Sequence, residues 1–230
     1  MSSHYHHPNA PHRDIFRVSN DPQKGCLNVG RTGWHIDGTF LEDPYRYSMM
    51  HIVSVPKPGY GQTAFISSAS AVDQVLDTEK ELEGMKDLFH RLFMVGTSPN
   101  YVLHRMIYKH PVTNRNTMLI HLGMTSTFLE INEQYQELGI EEVLKLHEKS
   151  NQNGQVLKVY NQQETKEVLN KIGEFIEICK RKGLMYKHEY EAGDLLISDN
   201  LAVLHEAVPS TQFKPNQIGL RIMDRISIGE

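Results

Sequence analysis

Segments with strand patterns lie near both ends of this chain, and the longest helical patterns lie between them. The strand segments alternate in polarity or are rich in β-branched and aromatic residues, and turn residues bound them. They span 14–18, 34–40, 47–55, 62–67, 103–108, 117–122, 184–190, 194–198, 202–205 and 218–228. Apolar residues at three- and four-residue spacing predict helices over 141–149 and 164–181, with shorter helices over 68–76 and 78–89. Strands on both flanks of inserted helices predict a β-sandwich or jelly roll with helices packed outside.

Length and composition limit the kind of protein. A chain of 230 residues with 39% hydrophobic residues suits one domain, which we assign to 1–230 with an irregular N-terminal segment over 1–33. The longest apolar runs are too short to span a bilayer, and no signal-peptide pattern opens the chain. A net charge of -4 without a basic stripe predicts no nucleic-acid partner. The two cysteines, Cys26 and Cys179, lie far apart, which favours a reducing compartment and predicts a cytoplasmic protein.

Three residues from the two strand-rich ends have the chemistry of a metal site. His35 and Asp37 are two positions apart in a predicted strand, so their side chains point to the same face. His205 lies in a predicted strand near the other end, and a jelly roll can bring such strands together at the mouth of its barrel. Two imidazoles and one carboxylate are the ligand set of non-haem Fe(II) oxygenases. Each residue alone is more simply a structural histidine or a turn aspartate, so the prediction depends on all three together.

Several short motifs accompany this triad. They are Trp-His-x-Asp-x-Thr-Phe at 34–40, Gly-x-Thr at 61–63, His-Pro at 110–111, Gly-Asp-x-x-x-x-Asp-Asn at 193–200, and Arg-Ile-Met-x-Arg at 221–225. Over nearly the whole chain this set resembles the taurine dioxygenase/2,4-D dioxygenase (TauD/TfdA) family of Fe(II)- and 2-oxoglutarate-dependent dioxygenases. The resemblance implies a mostly β fold with α, a cupin-like double-stranded β-helix, with Fe(II) at His35, Asp37 and His205. It also implies 2-oxoglutarate and O2 as co-substrates, and hydroxylation of a small organic substrate with release of succinate and CO2.

The resemblance also assigns residues that bind anions. It gives the distal carboxylate of 2-oxoglutarate to Arg221 and Thr63, and a guanidinium suits that role because its planar fork meets a carboxylate in bidentate fashion. Arg225 matches the arginine that holds the substrate sulfonate in taurine dioxygenase, although it could instead support the 2-oxoglutarate site. His7 matches a histidine that helps at the sulfonate. Together these residues predict a small anionic substrate.

Two further positions depart from taurine dioxygenase. Arg31 stands where that enzyme has an Asn near the substrate amine, and Met124 stands where it has an aromatic pocket wall. An added cation would repel an aminoalkane, so we expect a substrate with a second acidic group or a larger body.

Other features leave alternatives open. The chain starts closer to its first ligand strand than family members do, and relatives often associate, which suggests a short form and a homo-oligomer. A catalytically impaired short form is one alternative to the dioxygenase. A non-oxygenase, cupin-like protein with Zn or Mn in the triad is the other, and Arg221 argues against it because such a protein needs no keto-acid clamp.

Overall fold

The computed structural model describes residues 6–27, 33–97, 99–149 and 156–229. Strands occur throughout these ranges, and the two longest helices lie in the second half of the chain. The strands are β1 (Phe16–Ser19), β2 (Tyr47–Ser54), β3 (Thr63–Ser67), β4 (Leu92–Gly96), β5 (Leu103–Arg105), β6 (Ile107–Lys109), β7 (Asn116–Met118), β8 (Thr125–Ile131), β9 (Leu157–Val159), β10 (Met185–His188), β11 (Leu195–Asp199), β12 (Val203–Ala207) and β13 (Ile222–Ile228). The helices are α1 (Ser68–Ala71), α2 (Glu83–Arg91), α3 (Ile140–Lys149), α4 (Gln162–Arg181) and α5 (Pro215–Ile218). A π-helical turn at Val72–Leu76 continues α1, and 3-10 turns occur at Lys80–Leu82, Glu133–Tyr135 and Pro209–Gln212.

Two antiparallel sheets interleave strands from the two ends of the chain. The first has the order β1-β13-β2-β11, and the second has the order β10-β3-β12. Each early strand, β2 or β3, therefore lies between two late strands. This interleaving is the antiparallel arrangement of a jelly roll, and it confirms the predicted mostly β fold with helices.

The first sheet has an inner and an outer face. In β2, Met50 and Ile52 are buried while His51 between them is exposed, which is the two-residue period of a strand with one face in the core. Arg225 is paired with Met50 and Asp224 with His51. Arg225 therefore points to the inner face, and Asp224 points to the outer face.

Helix α4 covers the largest hydrophobic cluster. Its buried residues recur at three- and four-residue spacing and include Val168, Ile172 and Phe175, as the apolar periodicity predicts. Asn161 caps the helix through a reciprocal pair of hydrogen bonds with Glu164. Among the described residues, no helix is long and apolar enough to cross a membrane.

A third sheet of order β5-β4-β8-β9 carries a separate, smaller cluster. Phe93 in β4, Leu129 in β8 and Val143 in α3 contribute to it. Strands β4, β8 and β9 are absent from the sequence prediction because short apolar runs beside helices carry little periodic signal.

Three predicted segments need correction. The predicted strand over 34–40 pairs only around His35 and turns after Ile36, since residues 37–40 form a turn in which Gly38 has φ 83°. The predicted strands over 103–108 and 117–122 pair with each other only at β6 and β7, because β5 pairs with β4 instead. The predicted strand over 218–228 begins only at Ile222, because α5 and Gly219 (φ 93°) precede it.

Candidate metal centre and anion site

Backbone pairing places the first two histidines side by side. His35 and His205 exchange backbone hydrogen bonds of 3.0 and 2.9 Å, and their ring centroids lie 4.4 Å apart. On its other side, the segment around His35 pairs with the chain near Ile120, which accepts a hydrogen bond from the Ile36 amide at 3.1 Å. The extended segment at 34–36 is thus held between β12 and the chain that follows β7.

The three predicted ligands converge in a buried cluster. His35 Nε2 lies 3.6 Å from Asp37 Oδ1, and His205 Nε2 lies 3.5 Å from Asp37 Oδ2. One ligand atom from each residue falls within 4.8 Å of the others. All three residues are at least 95% buried, so this is a preorganised donor set rather than a surface coincidence.

The state of the histidines fits a metal ion. His35 Nδ1 lies 2.6 Å from the Gly33 carbonyl, and a proton on Nδ1 leaves Nε2 free as a ligand. His205 Nε2 is buried and has no hydrogen-bond partner among the described residues. Burial, together with the charge of His205, lowers the pKa of His35 to about 3, so this imidazole is neutral, as a metal ligand must be. The donor set suits a divalent transition metal.

The carboxylate of Asp37 has two further neighbours. Ser48 Oγ donates to Asp37 Oδ2 at 3.2 Å, and the Arg225 guanidinium forms an ion pair with Asp37 Oδ1. Burial alone would raise the pKa of Asp37, but Arg225 and His205 hold it well below its ordinary value. Asp37 is therefore a carboxylate anion, ready to bind a cation.

The backbone of Asp37 is fixed by one side chain. Asn200 accepts a hydrogen bond from the Asp37 amide at 2.8 Å, and it donates to the carbonyls of Asp37 at 2.9 Å and Tyr45 at 2.7 Å. Asn200 is 1% exposed. It thereby holds the turn after Ile36 in the conformation that points the Asp37 carboxylate at the two histidines.

The second predicted site surrounds Arg221. This arginine is 5% exposed, and its Nε donates to the Gly61 carbonyl at 3.1 Å. Within the described ranges no carboxylate forms an ion pair with it, and burial lowers its pKa. A side chain at Gly61 would collide with Pro56 and crowd Arg221, so this glycine makes room for the arginine. A buried guanidinium without an anion is costly unless a ligand supplies one.

Thr63 follows Gly61, whose carbonyl accepts a hydrogen bond from Arg221, by two residues. It is 3% exposed, and its Oγ1 accepts a hydrogen bond from the Tyr190 hydroxyl at 2.9 Å. The two predicted clamp residues are thus both buried.

The predicted substrate residues are dispersed. Arg225 is half-buried, and its guanidinium forms an ion pair with Asp37 in the cluster of candidate metal ligands. Met124 is half-buried, and its amide donates to the His121 carbonyl. Arg31 lies outside the described residues.

His7 lies in a turn that is attached to the outer face of the first sheet. Its Nε2 contacts the Pro22 carbonyl at 3.1 Å, and its Nδ1 accepts from the Asn9 amide. Arg17 donates to the Asn9 carbonyl and to Asp224, whose side chain points away from the inner face. Both ring nitrogens of His7 are thus engaged in this turn. A role for His7 in substrate binding stays a prediction.

Four residues of the site have no role predicted from the sequence: Ser48, His121, Tyr190 and Asn200. For Asn200, the Asp-Asn turn before β12 was the available signal. His121 packs its ring 4.8 Å from that of His35, and burial lowers its pKa to about 4. Neither His121 nor Tyr190 carries a sequence signal, because only the folded backbone brings them to the site.

Comparison with known proteins agrees with this geometry. The family described as taurine catabolism dioxygenase TauD, TfdA family matches residues 2–225. The alpha-ketoglutarate-dependent 2,4-dichlorophenoxyacetate dioxygenase of Cupriavidus pinatubonensis (strain JMP 134 / LMG 1197) is 28% identical over 203 residues, which cover 84% of this chain and 62% of the relative. The 3-((Z)-2-isocyanoethenyl)-1H-indole synthase of Fischerella ambigua (strain UTEX 1903) is 22% identical, with coverage of 84% and 63%. The chain thus spans less than two thirds of the length of these curated relatives.

Solved structures share the fold. A taurine dioxygenase from Burkholderia xenovorans matches with a TM-score of 0.62 and 18% identity over 96% of this chain and 66% of that one. This likeness confirms the predicted cupin-like jelly roll. Since the family match extends over nearly all of the sequence, the chain belongs to the TauD, TfdA family.

Proposed function

We propose that this member of the TauD, TfdA family is an Fe(II)- and 2-oxoglutarate-dependent dioxygenase that hydroxylates a small anionic organic substrate. The products of the co-substrate would be succinate and CO2. One observation carries the proposal: the buried guanidinium of Arg221 has no carboxylate partner among the described residues and lies in the same fold as a buried His-Asp-His triad. The name of the Cupriavidus relative, an alpha-ketoglutarate-dependent dioxygenase, supports it.

His35, Asp37 and His205 would hold the Fe(II). Bound there, the iron supplies open positions for the keto acid and for O2. Burial keeps the imidazole of His35 neutral, and Arg225 keeps Asp37 ionised. Ser48 and Asn200 fix the carboxylate and its backbone, so the ligand set needs little rearrangement to bind the metal.

Arg221 and Thr63 would bind the distal carboxylate of 2-oxoglutarate. The guanidinium is already desolvated and is held at Nε by the Gly61 carbonyl, so an arriving carboxylate meets a fixed and poorly hydrated cation. Charge-assisted hydrogen bonds in such surroundings are stronger than those in water. This clamp distinguishes the proposed enzyme from a protein that only stores or displays a metal ion.

The charges of the site support an anionic substrate. Fe(II), Arg221 and Arg225 are positive, while Asp37 and a 2-oxoglutarate dianion do not fully offset them. One net positive charge would remain in this group. A sulfonate, phosphonate, sulfate or carboxylate would neutralise it, and a place for Met124 in the wall of the substrate pocket stays a prediction.

The setting of the enzyme is also a proposal. Cys26 and Cys179 are not joined in a disulfide, which supports the cytoplasmic location expected from the sequence. A homo-oligomer remains the expected state by analogy with the family.

Anaerobic titration tests the proposed function. Adding Fe(II) and then 2-oxoglutarate to the apoprotein should produce a saturable visible charge-transfer band. Asp37→Ala should abolish the band by removing a metal ligand, whereas Arg221→Gln should still bind Fe(II) but should weaken 2-oxoglutarate binding at least tenfold. Loss of a charge-assisted pair accounts for that factor.

Turnover is the second measurement. The wild-type protein should release succinate when O2 is admitted, and a panel of sulfonates, phosphonates and carboxylates should then accelerate O2 uptake. A folded wild-type protein that binds Zn(II) or Mn(II) but shows no keto-acid band would contradict the proposal and favour a redox-inert metal protein. A band without turnover would favour a catalytically impaired form.

A further inference from the structure

Tyr190 lies at the keto-acid clamp but has no role in the function proposed above. It follows β10, and its hydroxyl donates to Thr63 Oγ1 at 2.9 Å. It therefore contacts Thr63, one of the two proposed clamp residues, directly.

The direction of the hydrogen bond determines what Thr63 can do. A hydroxyl group carries one proton and can accept hydrogen bonds as well as donate one. Because Tyr190 supplies the proton in their contact, the proton of Thr63 remains available for another acceptor. Burial raises the pKa of Tyr190, so its hydroxyl stays protonated and continues to act as the donor at neutral pH.

The ring of Tyr190 is held in place by its surroundings. It packs edge-on against the ring of His188, with centroids 4.6 Å apart, and its hydroxyl also lies 3.7 Å from Met50 Sδ. Met50 belongs to β2 in the first sheet, whereas Thr63 belongs to β3 in the second. Tyr190 thus bridges the two sheets at the clamp, which limits the rotation of its hydroxyl.

We propose that Tyr190 is a positioning residue that orients the Thr63 hydroxyl toward the distal carboxylate and so helps the protein select keto acids that carry one. This inference rests on the proposed function, because it assumes that Arg221 and Thr63 bind that carboxylate. It adds a third residue to the clamp and gives it a part in co-substrate specificity. The predicted consequence is confined to the far end of the keto acid and leaves its metal-binding end unaffected.

Two keto acids allow binding at the distal carboxylate and binding at the metal to be tested separately. 2-Oxoglutarate has the distal carboxylate, whereas 2-oxovalerate has the same five-carbon chain and keto-acid head without it. Their dissociation constants are measured anaerobically with the Fe(II)-loaded full chain, from the visible band. Tyr190→Phe should raise the constant for 2-oxoglutarate about 3- to 10-fold, the effect of one net hydrogen bond, and should change that for 2-oxovalerate less than twofold.

Matched variants identify the route of the effect. Tyr186→Phe makes the same chemical change at an exposed neighbour whose hydroxyl contacts His188, and it should leave both constants unchanged. Thr63→Val should weaken 2-oxoglutarate binding, and adding Tyr190→Phe to it should cause no further loss, since Tyr190 acts through Thr63.

The outcomes distinguish the inference from the proposed function. An unchanged 2-oxoglutarate constant in Tyr190→Phe, or an equal loss for both keto acids, would overturn the positioning role while leaving the dioxygenase proposal intact. An additive loss in the double variant would overturn the action through Thr63. A wild-type protein that binds neither keto acid would overturn both proposals together.

Discussion

Asn200 offers a sharp test of how the fold positions the metal site. Its side chain makes three hydrogen bonds to backbone groups, two that are buried at Asp37 and one that is partly buried at Tyr45. Replacement by alanine removes all three and leaves an amide and two carbonyls without their partner. At about 1 kcal/mol net for each bond, plus the cost of burying unpaired groups, we expect Asn200→Ala to lower the free energy of unfolding by about 3–5 kcal/mol.

Urea unfolding of the metal-free protein measures this loss. Asn132→Ala is the matched control, because the exposed Asn132 makes one 3.3 Å hydrogen bond to the Gln134 amide at the start of a 3-10 turn. A cap of this kind contributes about 1 kcal/mol or less. If the two variants differ by less than about 1 kcal/mol, the reasoning that Asn200 fixes the backbone of the site is refuted.

Metal affinity gives an independent measurement of the same variant. A loosened Asp37 backbone should weaken Co(II) binding about 10- to 100-fold, as is common when a group that orients a ligand is removed. Asn132→Ala should bind Co(II) with the wild-type affinity. An unchanged affinity in Asn200→Ala would show that Asp37 keeps its orientation without the hydrogen bonds of Asn200.

Three other perturbations test the packing and electrostatics. Ser48→Ala, which removes a hydrogen bond to the carboxylate ligand, should weaken Co(II) binding about tenfold in the same titration, and wild-type affinity would contradict this role. Phe175→Ala, at a fully buried ring in contact with Phe89, should lower the free energy of unfolding in urea by about 3–5 kcal/mol. Phe213→Ala, at a ring that is 45% exposed, should lower it by less than about 1 kcal/mol. Equal losses of stability would refute the assignment of the core. Arg17→Met, which leaves the 8%-exposed carboxylate of Asp224 without its bidentate partner, should cost about 2–3 kcal/mol by the same assay, and a loss below about 0.5 kcal/mol would place this pair among ordinary surface ion pairs.

Local patterns were sufficient for much of the fold. The three- and four-residue apolar spacing of α4 is visible over 164–181 and is found at Gln162–Arg181, because one helical face must cover the core. Likewise β2 and β3 were predicted to within one or two residues, since each carries a strand-type composition between turn residues. The pairing of β2 and β3 with strands near the C-terminal end could not be predicted, because register depends on which faces meet in the folded chain.

The proposed ligand set could be predicted from the sequence, but its geometry could not. The spacing of His35 and Asp37 and the distant His205 were enough to predict a metal triad, since residue type sets ligand chemistry. The strand expected to present the first two residues in fact ends in a turn after Ile36, and the hydrogen bonds of Asn200 hold Asp37 in place there. A side chain that fixes a backbone from far along the chain leaves no local pattern.

At the anion site, too, the sequence predicts the residue types and only the structure shows their contacts. The chemistry of Arg221 and Thr63 could be predicted from their residue types and the family motifs, whereas the room that Gly61 provides is seen only in the structure. Only the tertiary structure showed that the guanidinium is buried without a carboxylate partner among the described residues, and only it placed Tyr190 against Thr63. The sequence determined which groups are available and which faces must be buried, because both follow from side-chain chemistry and short-range periodicity. The tertiary structure decided which groups meet, because burial, hydrogen bonding and charge depend on contacts between segments far apart in the chain.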